Sequence, residues 1–391
     1  MLRGQCALHY HGGMTDTLPT PADSITFSEF DESQAQAVDA LIVGAGPVGM
    51  FAAFQLGLQG VQAQLCDSLP QMGGQCIALY ADKPIYDIPG IALCTGRELA
   101  AQLQQQIQPF HPVFHGHTQV AQLLPHGDGR WRVQLQAIDG LQTRWLLARS
   151  VVVTAGVGAF VPKQLRLPGL EAWLGSQVFY HPAFDDAWLE PVLARHPAPR
   201  IVIHGGDEPA VEAVLAAADH ASLQAAQLVL MHRRDQFNAP DALLQRLAQL
   251  RASGRVEVVI GMPQAIDAGE HLQAIDYVDA DGADQRLACD QLWVFQGLSP
   301  KLGPLLDWNL ALEKKQLQVA TDTFQTSAVG IYAAGDIVSY PGKRKLILSG
   351  FYEATMAAMA AIEYLRGEKL LLEYTTTSKR LHERLGVSHP D

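Results

Sequence analysis

Residues 39–67, DALIVGAGPVGMFAAFQLGLQGVQAQLCD, decide the fold because they combine a strand, a glycine-rich turn, a helix and a second strand. Residues 40–43 are a short apolar run that is typical of a buried strand. The next six residues, GAGPVG at 44–49, match G-x-G-x-x-G, and the apolar residues 50–58 continue as a helix. This order is the context that a dinucleotide-binding turn requires. The stretch therefore predicts a βαβ unit that holds a dinucleotide.

Each glycine of this turn has a predicted role. Gly44 permits the tight turn, Gly46 lets the backbone approach a pyrophosphate, and Gly49 lets the helix pack closely on the strand. The N-terminus of the helix supplies free N–H groups and the positive end of its dipole to the phosphates. Asp67 ends the second strand about 20 residues further on, where a carboxylate can bind the ribose hydroxyls.

The composition is that of a globular protein with two or three domains. The chain has 391 residues, of which 48% are hydrophobic and 17% are charged. No apolar run reaches the roughly 20 residues that a membrane span needs, and no basic-then-apolar signal peptide opens the sequence. We therefore expect a cytoplasmic protein that does not bind membranes. The net charge of −12 argues against nucleic-acid binding, which relies on basic surface.

The cysteines predict neither a metal site nor a redox dithiol. Cys6, Cys66, Cys76, Cys94 and Cys289 form no C-x-x-C pair and show no metal-ligand spacing. We expect them to be reduced and mostly buried.

The first 38 residues mix Gly, Pro, His, Thr and acidic residues without a sustained period. We interpret residues 1–38 as a flexible N-terminal extension. His9 and His11 have no further ligands nearby, so they do not predict a metal site.

Residues 68–91, SLPQMGGQCIALYADKPIYDIPGI, are rich in Gly, Pro, Tyr and Asp and lack helical periodicity. Long loops of this kind are often functional. Gly74 permits the backbone to approach a flat ligand, and the Gln75 amide can donate and accept hydrogen bonds. Tyr80 and Tyr86 can stack on an aromatic ring system, although simple packing is the better explanation for either tyrosine when it is taken alone.

The remaining periodicity of this first part predicts a helix, a hairpin and a buried strand. The helix covers residues 96–110, and the hairpin strands cover 131–135 and 143–147 around Asp139. Residues 150–158, SVVVTAGVG, are a buried strand that runs into a glycine-rich turn at Gly156 and Gly158. Residues 162–169 are interpreted as a linker that crosses to a second unit.

A second α/β unit begins near residue 200, with a strand, a turn, a helix and another strand. The turn reads GGDEPA at 205–210 and starts with Gly205 and Gly206. The second strand ends in His-Arg-Arg, and Arg233 and Arg234 suit the 2′-phosphate of NADP, which an Arg fork holds bidentately. A solvated basic strand end is the alternative.

Further strands are predicted at 256–262, 272–278 and 291–295, followed by a crossing back at 297–304. Residues 330–336, GIYAAGD, form a strand that ends in Asp336, which can accept a hydrogen bond from a cofactor hydroxyl. A helix over 350–365 follows, and its N-terminal dipole can face negative charge on a cofactor.

Two nucleotide units, the second inserted before the first is completed, resemble the flavoprotein disulfide-reductase superfamily with two dinucleotide-binding domains. Within it, the sequence resembles the thioredoxin-reductase-like ferredoxin–NADP reductases over residues 39–378. The most specific stretches are 44–54, 68–90, 154–160, 232–239 and 331–354.

The resemblance implies an α/β fold with two three-layer, Rossmann-like domains. The FAD domain would comprise residues 39–165 and 297–372, the inserted NADP domain 166–296, and a C-terminal extension, 373–391, would cover the flavin. The implied activity is hydride transfer between NADPH and flavin N5 and single-electron transfer to ferredoxin or flavodoxin, by a homodimer. Thioredoxin reductases carry C-x-x-C before the strand of the NADPH domain, but residues 177–189 have no cysteine.

The resemblance also implies individual site residues. Tyr80 would stack on one face of the flavin, and Tyr374, often from the partner subunit, on the other; an exposed tail tyrosine is the alternative for Tyr374. The remaining residues are expected to contact the cofactors without taking part in the chemistry. They are Gly44, Gly46, Pro47, Gly49, Asp67, Gly74, Gln75, Val120, Gly156, Asp336 and Ala354 for FAD, and Gly205, Gly206, Arg233 and Arg234 for NADP.

Three basic residues, Lys343, Arg344 and Lys345, follow the Gly-Asp end closely in sequence. On an acidic protein such a cluster can guide an acidic carrier protein, although a solvated loop explains it nearly as well.

The chain departs from the family at the second turn, where the family usually reads GGGDSA. In one register Asp207 replaces the glycine that touches the pyrophosphate; in the other, Gly206 keeps that place and His204 and Pro209 replace the outer residues. We favour the first register, in which a carboxylate about 4 Å from a phosphate costs up to about 4 kcal/mol. Weak NADPH binding is therefore expected.

Two other functions remain open. One is a flavin-binding sensor or interaction module whose nicotinamide site has degenerated. The other is an NAD(P)H-dependent flavoenzyme that reduces oxygen, a quinone or a small disulfide.

Overall fold

The computed structural model describes residues 30–388 except 139, 183–188, 190–192, 195, 197 and 372. Residues 1–29, with His9 and His11, and residues 389–391 lie outside the described residues, as does Asp139 of the predicted hairpin. The chain divides into two compact units. Unit 1 contains residues up to Gly156 and from Pro304 onwards, and unit 2 contains Val157–Gly303.

In chain order, the described helices are α1 Pro47–Leu58, α2 Gln75–Ala78, α3 Gly96–Ile107, α4 Glu208–Asp219, α5 Asp241–Ala252, α6 Ile347–Arg366 and α7 Lys379–Leu385. The strands are β1 Gln36–Val43, β2 Ala63–Cys66, β3 Pro84–Ile85, β4 Cys94–Thr95, β5 Val113–His115, β6 Thr118–Pro125, β7 Trp131–Ala137, β8 Thr143–Val153, β9 Ala159–Pro162, β10 Val178–Tyr180, β11 Arg200–His204, β12 Gln227–His232, β13 Val256–Ala268, β14 Leu272–Asp279, β15 Asp284–Ala288, β16 Gln291–Val294, β17 Leu298–Lys301, β18 Leu312–Glu313, β19 Gln316–Gln318, β20 Ile331–Ala333 and β21 Val338–Ser339. Within the described ranges, no helix is long and apolar enough to cross a membrane.

The main sheet of unit 1 places the end of β1 between two parallel neighbours. Its order is β5-β2-β1-β8-β7-β6, and β20 pairs with β8. Strand β8 pairs with β7 in the antiparallel sense and with β1 in the parallel sense. Strand β8 covers both the hairpin strand predicted at 143–147 and the buried strand predicted from residue 150, so these two predictions describe one continuous strand. It has β7 as a partner on one side and β1 on the other.

Helix α1 is apolar around most of its circumference, and neighbouring elements of unit 1 cover it on several sides. It packs against α6, and both helices present alanines at the contact, including Ala52, Ala53, Ala357 and Ala358, which are buried. Small side chains let the two helix backbones approach each other closely. Helix α3 begins with a capping box in which Thr95 and Glu98 bond each other's backbone N–H groups.

The first described residues are ordered against unit 1, which differs from the predicted flexible extension. Strand β1 begins at Gln36 and not at residue 40, and the ring of Phe30 lies edge-on to Trp145 with centroids 5.3 Å apart. The guanidinium of Arg132 stands 5.2 Å from the Phe30 ring. An apolar and cationic contact thus holds a segment whose own sequence shows no period.

Unit 2 is a mixed sheet with the order β10-β16-β11-β12-β13-β14-β15. The pairs from β10 to β13 are parallel, and β13 to β15 form an antiparallel meander. One face packs against α4 and α5 around the fully buried Trp293. The α/β class that the sequence predicted is confirmed.

Strand β9 ends at Pro162, where the first predicted linker begins, and it pairs with β17, which lies within the crossing segment predicted at 297–304. Strand β9 and strand β17 form an antiparallel two-stranded sheet, with Leu298 opposite Pro162. Both strands belong to unit 2, so this unit begins near residue 157 and ends near residue 303. The predicted limits of 166 and 296 lay inside it.

Candidate functional site

The turn between β1 and α1 has a backbone that accepts only glycine at its first position. Gly44 has φ +107°, and a Cβ there would lie 2.4 Å from the carbonyl oxygen of Thr154. The Gly44 N–H donates to the Cys66 carbonyl at the end of β2 (2.8 Å). Gly46 is the N-cap of α1, and Pro47 opens the first turn of the helix. The turn therefore leads directly into a helix N-terminus.

Asp67 holds this turn from the end of the neighbouring strand. One carboxylate oxygen accepts the N–H of Ala45 (2.7 Å) and the other accepts the N–H of Leu69 (2.9 Å). Burial raises the pKa of Asp67 above its ordinary value, although these hydrogen bonds oppose the rise. Binding of ribose hydroxyls by Asp67 stays a prediction.

The glycine pair after β2 packs directly on the turn. The Gly73 N–H donates to the Ala45 carbonyl (2.8 Å), and a Cβ on Gly74 would lie 2.8 Å from the Cα of Gly46. Gly74 also has φ +56°. The Gln75 amide nitrogen would lie 3.2 Å from a Cβ on Gly156. Four predicted site residues therefore lie close together, and their backbones form a cradle at the turn. They are Gly46, Gly74, Gln75 and Gly156.

The segment at the end of β20 meets the same helix N-terminus. A Cβ on Gly335 would lie 3.4 Å from a methyl carbon of Val48, in the first turn of α1, and a Cβ on Gly350 would lie 2.4 Å from the same carbon. Asp336 follows Gly335 and is half-buried, and its carboxylate accepts no hydrogen bond within the part of the chain that the structure describes. It is therefore free to accept one from a ligand.

Two predicted cofactor residues contribute no polar side chain. Ala354 is fully buried on α6 and lies in the core that α6 shares with α1. Val120 is buried in β6, where it pairs with Leu135 next to a β-bulge. Their contacts with a cofactor stay predictions.

Sequence reasoning missed Thr154 and Glu353 as site residues. The Thr154 hydroxyl donates to the Gly44 carbonyl (2.7 Å), and its position directly after the apolar run SVVV was a usable signal. Glu353 is fully buried and accepts the N–H of Gly335 (2.7 Å). A carboxylate among the small residues of α6 was the corresponding signal.

The predicted stacking tyrosines are exposed to different degrees. Tyr80 is 45% exposed, with the Lys83 ammonium 5.3 Å from its ring centroid. Tyr86 is 68% exposed. Tyr374 is 64% exposed and begins the turn before α7. Each of the three rings therefore has an exposed face on which a ligand or another protein can stack.

The geometry of the first turn fits a dinucleotide pyrophosphate. The first N–H groups of a helix have no partner within the helix, and α1 is 12 residues long. A side chain at Gly46 or Gly74 would narrow the space in front of them, and glycine occupies both positions. Carboxylate Asp336 provides an acceptor for a neighbouring hydroxyl group.

The second turn repeats the first turn's backbone with a different side chain. The Gly205 N–H donates to the Met231 carbonyl (3.1 Å), as Gly44 does to Cys66. The N-cap of α4 is Asp207, with φ −99° and ψ 170°, against −71° and −177° for the N-cap of α1. The structure therefore selects the first register, and Asp207 stands where the first turn has Gly46.

Two further features agree with this register. Ala210 packs on Gly205, since a Cβ on Gly205 would lie 2.7 Å from the Ala210 Cβ. His204 is the last residue of β11 and is buried, which lowers its pKa to about 4, with a smaller contribution from His232. A neutral strand residue thus occupies the place that the other register assigned to a glycine.

The arginine pair lies on a loop that folds over this turn. The Asn238 N–H donates to the Gly206 carbonyl (2.8 Å), and the ring of His232 lies against the Gly206 Cα. Arg233 and Arg234 are exposed, and neither pairs with a carboxylate among the residues that the structure describes. Both guanidinium groups are available to an anionic ligand.

The predicted basic docking cluster is smaller than the sequence indicated. The Lys343 side chain is only 9% exposed and pairs with Glu353 at 2.5 Å. Its charge is therefore neutralised inside unit 1, and only Arg344 and Lys345 are exposed.

Comparison with known proteins gives one consistent result. The sequence profile described as pyridine nucleotide-disulphide oxidoreductase matches residues 38–362. The ferredoxin–NADP reductase of Verminephrobacter eiseniae (strain EF01-2) is 52% identical over 357 residues, 90% of this chain and 97% of that protein. The ferredoxin–NADP reductase of Acidovorax sp. (strain JS42) is 52% identical over 355 residues, 90% of this chain and 96% of that protein. A crystal structure of Lactococcus lactis thioredoxin reductase has a TM-score of 0.51 at 21% identity, covers 84% of this chain and 99% of that one, and supports the fold.

We predict that Gly74→Ala lowers the affinity of unit 1 for FAD by at least about tenfold, because the new Cβ forces Gly46 to move. Fluorescence titration of the apoprotein with FAD measures this. Gly90→Ala is the matched control, since Gly90 also has a positive φ (+83°) but a Cβ there meets no atom within 4 Å. Equal FAD affinities of the two variants would contradict the role of the close approach.

Proposed function

Because this chain belongs to the pyridine nucleotide-disulphide oxidoreductase family, we propose that it is an FAD-dependent ferredoxin (flavodoxin)–NADP reductase. The observation that carries this proposal is the pair of glycine turns on a chain without a C-x-x-C dithiol. The first turn is a complete glycine cradle in unit 1, and the second, in unit 2, lies under the exposed pair Arg233 and Arg234. The two relatives at 52% identity carry the corresponding name.

FAD would supply the redox chemistry, since a flavin accepts a hydride from NADPH and releases electrons singly. In this proposal unit 1 holds FAD with its pyrophosphate at the N-terminus of α1. Gly46 and Gly74 keep space for the phosphates, and Asp336 accepts a hydroxyl group of the cofactor. The half-exposed ring of Tyr80 stacks on one face of the flavin.

In unit 2, NADP(H) would lie at the N-terminus of α4. Arg233 and Arg234 would hold its 2′-phosphate, whose charge distinguishes NADPH from NADH. The N-cap carboxylate of Asp207 makes no capping hydrogen bond, so it presents its charge where the pyrophosphate is expected. This combination supports preference for NADPH together with reduced affinity.

The cysteines support direct transfer to a one-electron carrier. Cys66, Cys76, Cys94 and Cys289 are free and buried. Burial raises the pKa of Cys66 to about 12 and raises that of Cys289 as well, so neither thiol ionises near neutral pH. Thiols that stay protonated are poor nucleophiles, which disfavours a dithiol relay. Reduced thiols also agree with the proposed cytoplasmic location.

A homodimer would complete the flavin site. Helix α7 is attached to the far end of α1, where the Arg384 guanidinium donates to the Leu58 carbonyl (2.6 Å). A 12-residue helix spans about 18 Å, so this end is well separated from the Gly46 end of α1. The C-terminal extension is therefore anchored away from the phosphate-binding turn of its own chain. Tyr374 would cover the flavin of the partner subunit.

Arg344 and Lys345 are the exposed charges proposed to guide an acidic carrier towards the flavin edge. Lys343 is left out of this cluster because its side chain is largely buried and paired with Glu353.

A second function is favoured by Asp207 alone. A carboxylate at the pyrophosphate position suits a flavoprotein whose nicotinamide site has degenerated and which serves as a sensor or interaction module. The exposed arginine pair and the intact first turn favour the reductase.

The decisive assay mixes the purified yellow protein with NADPH and supplies ferredoxin, flavodoxin or an artificial acceptor. We expect NADPH to reduce the flavin and either carrier to be reduced in turn. Flavin that NADPH never bleaches would support the degenerate site, and reduction of oxygen, a quinone or a small disulfide without carrier reduction would support the third function.

We predict that Asp207→Gly lowers the dissociation constant of NADPH by at least about tenfold, because it removes up to about 4 kcal/mol of repulsion. Asp207→Asn, which removes only the charge, should recover part of this gain. Stopped-flow reduction of the flavin at increasing NADPH concentration measures both.

Asp281→Asn is the control for Asp207, since it removes one carboxylate from an exposed hairpin of the same unit. Its NADPH affinity should match that of the wild type. Fast bleaching of the wild-type flavin at micromolar NADPH would show that Asp207 does not hinder binding.

We predict that Tyr374→Ala shifts the flavin absorbance bands and changes turnover severalfold, because the flavin loses a stacked ring. Thr376→Ala, in the same exposed turn, should leave both unchanged. An unaltered spectrum and turnover in Tyr374→Ala would remove the proposed lid.

A further inference from the structure

We propose that the buried ion pair between Glu353 and Lys343 is a positioning device that fixes the turn at Gly335 and Asp336, and that its two charges offset each other so that neither shifts the reduction potential of the flavin. This inference rests on the proposed function, because it requires FAD in unit 1. It concerns two residues behind the cofactor site that neither glycine motif contains.

The geometry joins three donors to one carboxylate. Glu353 is fully buried, and one of its oxygens accepts the backbone N–H of Gly335 at 2.7 Å. Its other oxygen accepts the hydroxyl of Tyr340 at 2.6 Å and the ammonium of Lys343 at 2.5 Å. The Lys343 side chain is 9% exposed. A single side chain of α6 thus holds both ends of the loop from residue 335 to residue 343.

Tyr340 makes this arrangement rigid. Its ring lies edge-on to the buried Phe324, with centroids 5.6 Å apart. Burial and the bond to Glu353 raise the pKa of Tyr340, so its hydroxyl stays protonated and remains a donor. The Glu353 carboxylate is therefore surrounded by three hydrogen-bond donors. Removal of one partner of such a buried pair is costly because it leaves an uncompensated charge.

The pair lies directly behind the meeting point of three segments. Gly335 approaches Val48, which belongs to the first turn of α1, and Gly350 at the start of α6 approaches the same side chain. Gly335 is also the residue whose N–H Glu353 accepts. A displacement of Glu353 would therefore move the turn that carries Asp336 relative to the helix that receives the pyrophosphate.

The charges of the pair oppose each other, and reduction adds negative charge to the flavin. Inside a protein, charges interact over longer distances than in water because the effective dielectric constant is lower. With Lys343 neutralised, the Glu353 carboxylate would oppose flavin reduction. With Glu353 neutralised, the Lys343 ammonium would favour it. The two single variants must therefore move the potential in opposite directions, which a purely structural contact would not do.

The test compares Lys343→Gln, Glu353→Gln and the double variant. The midpoint potential of bound flavin, measured against a reference dye with the protein in excess over FAD, should become more negative in the first and more positive in the second. In the double variant it should return close to the wild-type value, because both charges are absent. FAD titration of the apoproteins should show a loss of affinity of at least about tenfold in each single variant.

Lys345→Gln is the control, because it removes the same charge from an exposed neighbour that solvent screens. Its potential should match that of the wild type, and circular dichroism checks the fold of every variant. Single variants with unshifted potentials, or with shifts in one direction, would overturn the inference while leaving the proposed function intact. Wild-type protein that binds no FAD would overturn both.

Discussion

One residue, Ala45, joins the three segments on which the first nucleotide site depends. Its N–H donates to the Asp67 carboxylate at the end of β2, and its carbonyl accepts the N–H of Gly73. Buried peptide groups must find partners, and both groups of Ala45 find them in the protein. The N–H groups at the start of α1 have no partner within the helix, so they can bind an anion. The strand end, the glycine pair and the helix N-terminus are held as one rigid cradle.

The glycine-rich turns of the two units have similar backbone conformations but different side chains at the helix N-cap. Gly46 and Asp207 cap their helices with nearly the same extended conformation, which any residue can adopt. Asp207 therefore causes no backbone strain, and unit 2 can form its turn as readily as unit 1. What differs is the charge presented to a ligand. A fold can thus keep a nucleotide-binding geometry while its electrostatics weaken binding.

The environment of a charge decides what it can do in this protein. Arg97 and Asp82 form an exposed pair at 3.2 Å, and such surface pairs contribute little because water and salt screen them. Glu353 and Lys343 form a pair of similar chemistry without that screening. A buried pair fixes local geometry, and loss of either partner would leave an uncompensated charge next to the neighbouring site. The same residue types therefore serve surface solubility in one place and the organisation of the cofactor site in another.

The sequence by itself determined the first turn, both βαβ units and the α/β class, because glycine spacing and apolar periodicity act on neighbouring residues. The register of the second turn needed the structure, since only the bond from Gly205 to Met231 shows where β11 ends. The pairing of β9 with β17 also needed it, because these strands are more than a hundred residues apart. The sequence around Lys343 indicates a surface charge, whereas in the structure Lys343 forms an ion pair with the buried Glu353. Local patterns constrain the nearby backbone, whereas burial and long-range partners depend on how the whole chain packs.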